Sequence, residues 1–191
     1  MASPVRLVVL GRQGAGKGTQ CARLAEHYGA LHISTGDMLR AAVAEGTEFG
    51  RKANEFMSAG ELVPDDVMLG VVTDRLAKPD AVERGFLLDG YPRNVSQAEA
   101  LDGMVGSDGI DRVIDIDVPL EVVLERIKGR GREDDTEDAV RRRLELYESQ
   151  TRPLTAFYDE RNKLATVDGV GSEDEVFERL CKVIDEGSSR S

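Results

Sequence analysis

The stretch Val5-Arg6-Leu7-Val8-Val9-Leu10-Gly11-Arg12-Gln13-Gly14-Ala15-Gly16-Lys17-Gly18-Thr19-Gln20 decides the fold. Val5 to Leu10 is an apolar run that stops at Gly11, and a helical pattern continues through Gln20, Leu24 and Tyr28. The chain therefore opens as strand, glycine loop and helix, the start of an α/β unit. From Gly11 to Lys17 the loop has phosphate-binding spacing: glycine, four residues, then Gly-Lys. Glycines let successive backbone N–H groups curl around phosphate oxygens, the helix start adds positive potential, and Lys17 reaches the outer phosphates as a point charge. The strict pattern places Ser or Thr where Gly18 stands. Thr19 comes one position late, which speaks against direct magnesium ligation by that hydroxyl. A ligand-free glycine turn would not require strand, spacing and lysine to agree. A dinucleotide fingerprint counted from Gly14 and Gly16 needs a third glycine at position 19, which is Thr. A GTPase base reader needs an aspartate that Asn162-Lys163-Leu164-Ala165 lacks.

Working outward, apolar strand candidates recur at Gly85 to Leu88, Val113 to Val118 and Leu164 to Val167, separated by helical stretches, with a brief His32-Ile33 candidate between. That alternation implies a buried parallel sheet flanked by helices. Helical segments are expected over Gly36 to Ala44, Glu48 to Ala59 and Asp65 to Ala77, more than one crossover needs, so Ser34 to Val63 reads as a small helical insertion able to move against the sheet. Pro119 suits the first turn of a helix through Lys128, and Asp134 or Thr136 suits the cap of a long helix through Tyr147 to Gln150. Glu186 to Ser191 reads as a frayed end. At 191 residues the chain is expected to form one domain.

Composition narrows the function. Hydrophobic residues make up 40% and charged residues 32%, with no apolar tract of about 18 residues, which argues against a membrane span and against disorder. The formal net charge of −11 repels a nucleic-acid backbone, so nucleic acid is not an expected partner. Cys21 and Cys181 are far apart and in no CxxC spacing, giving neither a disulfide framework nor a zinc knuckle. A reducing cytoplasm fits, and the segment from Met1 to Arg6 leads into an apolar run too short for a signal-peptide core. Arginine outnumbers lysine 19 to 6, and arginine is the better fork for phosphate oxygens.

Three blocks, Gly14-Ala15-Gly16-Lys17-Gly18-Thr19-Gln20, Ser34-Thr35-Gly36-Asp37-Met38-Leu39-Arg40 and Asp89-Gly90-Tyr91-Pro92-Arg93, resemble the nucleoside monophosphate kinases, specifically the adenylate kinase family. Leu62-Val63-Pro64-Asp65, Arg132-Glu133-Asp134-Asp135 followed by Arg143, and Val167-Asp168-Gly169 fall in the same order, so the resemblance covers nearly the whole chain. It implies a P-loop three-layer fold with a monophosphate-binding insertion over residues 34–63, a short lid over 129–137, and the remainder as core. Two departures stand out. Gln13 replaces the proline usual in that loop, and only Gly131 separates Arg130 from Arg132, which implies the short-lid form with no zinc-bearing lid.

The resemblance implies reversible transfer of the terminal phosphate of Mg-ATP to AMP, giving two ADP. It assigns Gly14, Ala15, Gly16, Lys17, Gly18, Thr19, Arg126, Arg130 and Gly171 to ATP. It assigns Thr35, Arg40, Glu61, Leu62, Val63, Gly90, Arg93, Gln97, Arg132 and Arg143 to AMP. Lys17, Arg93, Arg130, Arg132, Arg143 and Asp89 would carry the chemistry, with Asp89 holding magnesium through water. Thr35 and Gln97 distinguish this chain from pyrimidine kinases, which tend to carry Ala and Asn there. Residue chemistry leaves alternatives: Thr35 as a helix cap, Asp89 as a turn former before Gly90, Gly169 to Gly171 as a plain turn, and the arginines as surface residues paired with Glu125, Glu133 or Glu137. Arg141 and Arg142 favour that surface role, because consecutive helical residues point about 100° apart. His27 and His32 read as structural, since phosphoryl transfer needs positioning and fixed positive charge rather than a protein nucleophile. The Tyr91-Pro92 bond is expected to be cis. Glycines 129 and 131 offer pliable backbone for a lid that closes with the insertion and excludes water. A CMP or UMP kinase and a non-catalytic adenine-nucleotide sensor are the rival readings, and a cytoplasmic monomer is the expected form.

Overall fold

The computed structural model describes residues 4–106 and 109–188. Among them, five parallel strands form one sheet in the order β2-β3-β1-β4-β5: β1 (Val5–Leu10), β2 (Leu31–Ser34), β3 (Gly85–Asp89), β4 (Arg112–Asp117) and β5 (Leu164–Asp168). The apolar run of β1 follows from its central place. Leu7 and Val9 enter one core layer and Val8 and Leu10 the other, so both faces are buried and no polar alternation survives. Each such side chain taken from water contributes about 1.5–3 kcal/mol.

Helices cover both faces. α1 (Lys17–Tyr28), α7 (Leu120–Arg130) and α10 (Glu173–Ser188) bury Leu24, Ile127 and Leu180 in one layer. α4 (Asp65–Leu76), α6 (Val95–Val105) and α9 (Pro153–Asp159) bury Val72, Leu101 and Leu154 in the other. α1 leaves β1 on one face and α6 follows β3 on the opposite face. The adjacent carboxyl ends of β1 and β3 therefore stand at a topological switch point, where open α/β sheets leave a crevice for ligands. α2 (Thr35–Ala44) and α3 (Glu48–Ala59) follow β2, α5 (Pro79–Arg84) precedes β3, and α8 (Glu137–Leu146) precedes a π-helical turn, Tyr147–Thr151.

Several local expectations need correction. Thr35 does not cap α2: Ser34 Oγ accepts from the Asp37 N–H, and Thr35 is the first, buried residue of the helix. Thr136, not Asp134, caps α8, accepting from the Ala139 N–H. Pro119 sits at the cap of α7 rather than in its first turn, and Gly129 is helical, leaving only Gly131 outside that helix. α8 ends at Leu146 because one extra residue forms the π turn, which carries Thr151 to donate to the Arg93 carbonyl at 2.7 Å. The C-terminal helix is not frayed from Glu186: it runs to Ser188, anchored by Ile184 in the core, and residues 189–191 lie outside the described residues. The Tyr91-Pro92 peptide bond is cis.

Candidate active site

The carboxyl ends of the strands open into a cleft of about 740 Å³. The glycine loop forms one wall. Gly14, at φ 85°, is packed so closely by α7 that a Cβ would stand 2.9 Å from Ile127 Cγ1 and 3.0 Å from the Val123 carbonyl. Only glycine allows that backbone shape and that approach. The loop delivers the chain into α1 through Gly16, which caps the helix with no side-chain acceptor, so backbone donors at the N-terminus are left to an anion. Lys17 Nζ donates to the carbonyls of Gly11 at 2.7 Å and Arg12 at 2.9 Å. Burial pulls its ammonium below the usual lysine range, opposed by Asp89.

Asp89 ends β3 in register with Val9, beside this loop. Burial works against its ionisation, but His32, Lys17 and Arg93 outweigh it and hold the carboxyl below its usual range. Gly90, at φ 86°, brings Thr35 and Arg93 together: a Cβ there would meet Thr35 Oγ1 at 2.7 Å. Thr35 Oγ1 donates to the Asp89 carbonyl at 3.3 Å, and Arg93 Nε donates to the Gly90 carbonyl at 2.8 Å. Burial, together with Arg143 and Arg40, pushes Arg93 below its ordinary value against the pull of Asp89. Guanidinium groups from α2, the β3–α6 loop and α8 thus face one another.

The end of α7 and the residues after it bring further guanidinium groups to the cleft. Arg130 at the end of α7 makes a bidentate pair with Asp135, Nε to Oδ2 at 2.6 Å and Nη2 to Oδ1 at 2.8 Å. Arg143 donates to Asp135 Oδ1 at 3.1 Å, Asp134 Oδ2 at 2.7 Å and the Met57 carbonyl at 2.8 Å. Arg132 is shifted down by partial desolvation and by Arg130 and Arg40. Arg126 lies one turn before Arg130 and donates to the carbonyls of Ala15 at 3.3 Å and Gly169 at 3.0 Å. Every residue assigned above to ATP, AMP or catalysis lines this one cleft. Arg141 and Arg142 turn away, Arg141 to Glu137 and Asp138, Arg142 to Glu61 and Glu145.

A model of the adenylate kinase family matches residues 9–163. An adenylate kinase of Xanthomonas euvesicatoria is 53% identical over 186 residues, covering 94% of this chain and 99% of that relative. Those of Stenotrophomonas maltophilia and Xanthomonas campestris match at 53% over the same spans. This chain belongs to the adenylate kinase family.

Within this adenylate kinase fold, several polar residues hold the arginines and escaped the sequence reading as site residues. Asp135 joins Arg130 and Arg143, and Gln13 of the glycine loop donates to the same carboxylate. Asp65 accepts from Gln97 Nε2 at 2.7 Å and from Asn94, while Gln97 Oε1 accepts from the Arg93 N–H at 2.8 Å. The Gln97 amide therefore keeps one N–H and one lone pair for a ligand. The run of two arginines followed by three acids from Arg130 to Asp135 was the available signal for the ion pairs. Gln13 stood out only as a departure from the usual loop proline and Asp65 only within a resemblance block, and nothing local named the partner of either.

Proposed function

We propose that this adenylate kinase cleft transfers the terminal phosphoryl group of Mg-ATP directly and in line to AMP, reversibly, giving two ADP. The observation that carries the reading is the convergence of Lys17, Arg40, Arg93, Arg130, Arg132 and Arg143 from separate elements on one cleft. Three of these, Lys17, Arg93 and Arg132, are held below their ordinary pKa values by desolvation and by neighbouring cations. Such an arrangement is unfavourable without ligand and suits polyanions. Phosphoryl transfer spreads negative charge over the moving group, and fixed cations stabilise that charge without reorganising.

The roles divide by position. The backbone donors from Gly14 to Thr19 cradle the ATP phosphates, and Lys17 leaves its carbonyl partners for the outer phosphates. Arg126, held by the Ala15 and Gly169 carbonyls, supports the ATP adenine beside Gly171. Arg40 and Arg93 grip the AMP phosphate, Thr35 and Gln97 meet its base, and Glu61, Leu62 and Val63 border its nucleoside. Arg130, Arg132 and Arg143 surround the transferring group once phosphate oxygens replace Asp134 and Asp135 as their partners. Asp89 fits magnesium held through water: it is an ionised carboxylate at the strand end beside the phosphate loop, and that ion prefers oxygen ligands and keeps water. Bound there with ATP, magnesium would neutralise phosphate charge.

Residues 34–63 and 129–137 act as two closing segments on a rigid core, which excludes water as the competing acceptor. The chain works as a cytoplasmic monomer. The deciding experiment offers Mg-ATP with AMP, CMP, UMP and dAMP and measures ADP formation. AMP is expected to be strongly preferred; preference for CMP or UMP, or tight ATP binding with no ADP formed, would overturn the reading.

A further inference from the structure

Behind the phosphate loop, α1, β2 and β3 each deliver one metal-ligating side chain to the same place. Cys21 lies one helical turn after Lys17 and is fully buried. His32 and Asp89 share the α1 face of the sheet with Leu87, because His32 pairs directly with Leu87 and Asp89 lies two residues along from it, and Leu87 packs in the layer with Leu24 and Cys21. One ligand atom from each of Cys21, His32 and Asp89 lies within 4.8 Å of the other two. His32 Nε2 is buried without a hydrogen-bond partner; Asp89 Oδ2 is 3.4 Å away, outside bonding alignment. A buried imidazole nitrogen whose one near partner is a carboxylate at this long distance, beside a thiol, makes no well-formed hydrogen bond and keeps its lone-pair position available to a cation.

Sulfur, nitrogen and oxygen donors together select against magnesium, which takes oxygen, and for zinc-class ions. Bond lengths of about 2.0–2.3 Å at tetrahedral angles put zinc ligands about 3.5 Å apart, so rotamer adjustments of about 1 Å close this triad and leave a fourth position for water. We propose that Cys21, His32 and Asp89 form a capture site for a zinc-class divalent cation, whose occupancy stops phosphoryl transfer by withdrawing Asp89 from the nucleotide cleft. Capture replaces the Cys21 S–H bond with a sulfur–metal bond and releases one proton to solvent, with no change of oxidation state. The inhibitory half rests on the role given to Asp89 above; the binding half does not. The lid is not involved.

Cobalt(II) added to the magnesium-free protein tests the binding. Wild type and Cys181→Ser are expected to show a thiolate-to-cobalt band in the near ultraviolet that zinc abolishes. Cys21→Ser should show none, and His32→Gln should bind at least about tenfold more weakly, as loss of a ligand contact of 1.4 kcal/mol or more implies. A band that survives Cys21→Ser, or vanishes in Cys181→Ser, overturns the site. Independently of any variant, X-ray absorption of the zinc-loaded wild type should report one sulfur among nitrogen and oxygen ligands; a shell without sulfur overturns it too. For inhibition, zinc well below the magnesium concentration should halt turnover of wild type and spare Cys21→Ser, and equal sensitivity of the two overturns that half. Turnover of Asp89→Ala without zinc tests the role of Asp89 separately.

Discussion

The side-chain amide of Gln13 donates to Asp135 Oδ1 at 2.6 Å, joining the phosphate loop to the segment that follows Arg130. Asp135 is also gripped by Arg130 and Arg143, so one carboxylate occupies the cations proposed to meet the transferring phosphate. The carboxylate acts as an internal stand-in for that anion. On the proposed function it keeps guanidinium groups of like charge together until a phosphate displaces it, and Gln13 ties the loop to the segment proposed to close as a lid.

Gln13→Ala removes a bond to a charged acceptor, worth about 1.5–3 kcal/mol at most. The loss is offset in part, because Gln13 Oε1 is buried without a partner and disappears as well. A net change near 1.4 kcal/mol shifts a two-state lid about tenfold toward the open form. Energy-transfer labels on the lid and core should report that shift. Steady-state kinetics should show a higher KM for ATP with KM for AMP unchanged. Unchanged lid populations would remove Gln13 from this role.

Lys17→Met and Arg93→Ala are each expected to lower kcat by about 10³-fold or more, by analogy with arginine fingers. Neither should lose much stability. Lys17 and Arg93 are both held below their ordinary pKa values by burial, and Arg93 also faces Arg40 and Arg143. Removing a charge that burial and like-charge neighbours disfavour leaves Tm close to wild type. A large fall in Tm together with activity would make these residues structural.

Lys17 was legible in the sequence because it sits in a contiguous block whose spacing has a mechanical meaning, whereas Arg93 was marked only by the family resemblance of its block. Gly11 to Lys17 states strand, turn and helix in one line, and Arg126 with Arg130 states a helix face. The polar pairings made across long stretches of chain were not legible. Asp65 reaches Gln97 across 32 positions and Gln13 reaches Asp135 across 122, and no local periodicity encodes either pairing. The same holds for Cys21, His32 and Asp89: metal spacing rules read neighbours along a chain, whereas these three meet only through sheet register. The cap of α2 shows the opposite difficulty. Ser34 and Thr35 are equally good caps by residue type, and the choice fell to Ser34 because β3 draws Thr35 inward to the Asp89 carbonyl.

Asp115 gives a prediction about stability alone. It lies buried in β4, and burial together with Asp117 pushes its carboxyl above the usual range despite Tyr147, Arg12 and Lys17. A folded-state pKa above the unfolded value means the native state binds more protons between the two. Stability therefore falls as pH rises through that window. Asp115→Asn should raise Tm at pH 7, with the gain shrinking toward about pH 4 and below, where the wild-type carboxyl is protonated in both states. Calorimetry over that range checks the sign; a lower Tm at neutral pH would show that its interactions with Arg12 and Tyr147 outweigh its burial.

Asp135 should behave in the opposite sense. Burial raises its pKa, but the bonds from Arg130 and the charges of Arg143 and Arg132 win and hold it below the usual range. A depressed folded-state pKa adds stability that is complete above the unfolded value of about 3.9 and is lost as pH falls through the folded value. Asp135→Asn should therefore cost about 1.5–3 kcal/mol at neutral pH, the worth of hydrogen bonds to charged groups, and the deficit should fade only in strong acid. Phosphate or ADP should restore more stability to the variant than to wild type, because in the variant an added anion takes up arginines with no carboxylate to displace. Thermal melts with and without ADP separate the cases: an equal shift in both proteins would mean that Asp135 and the nucleotide do not compete for the same cations.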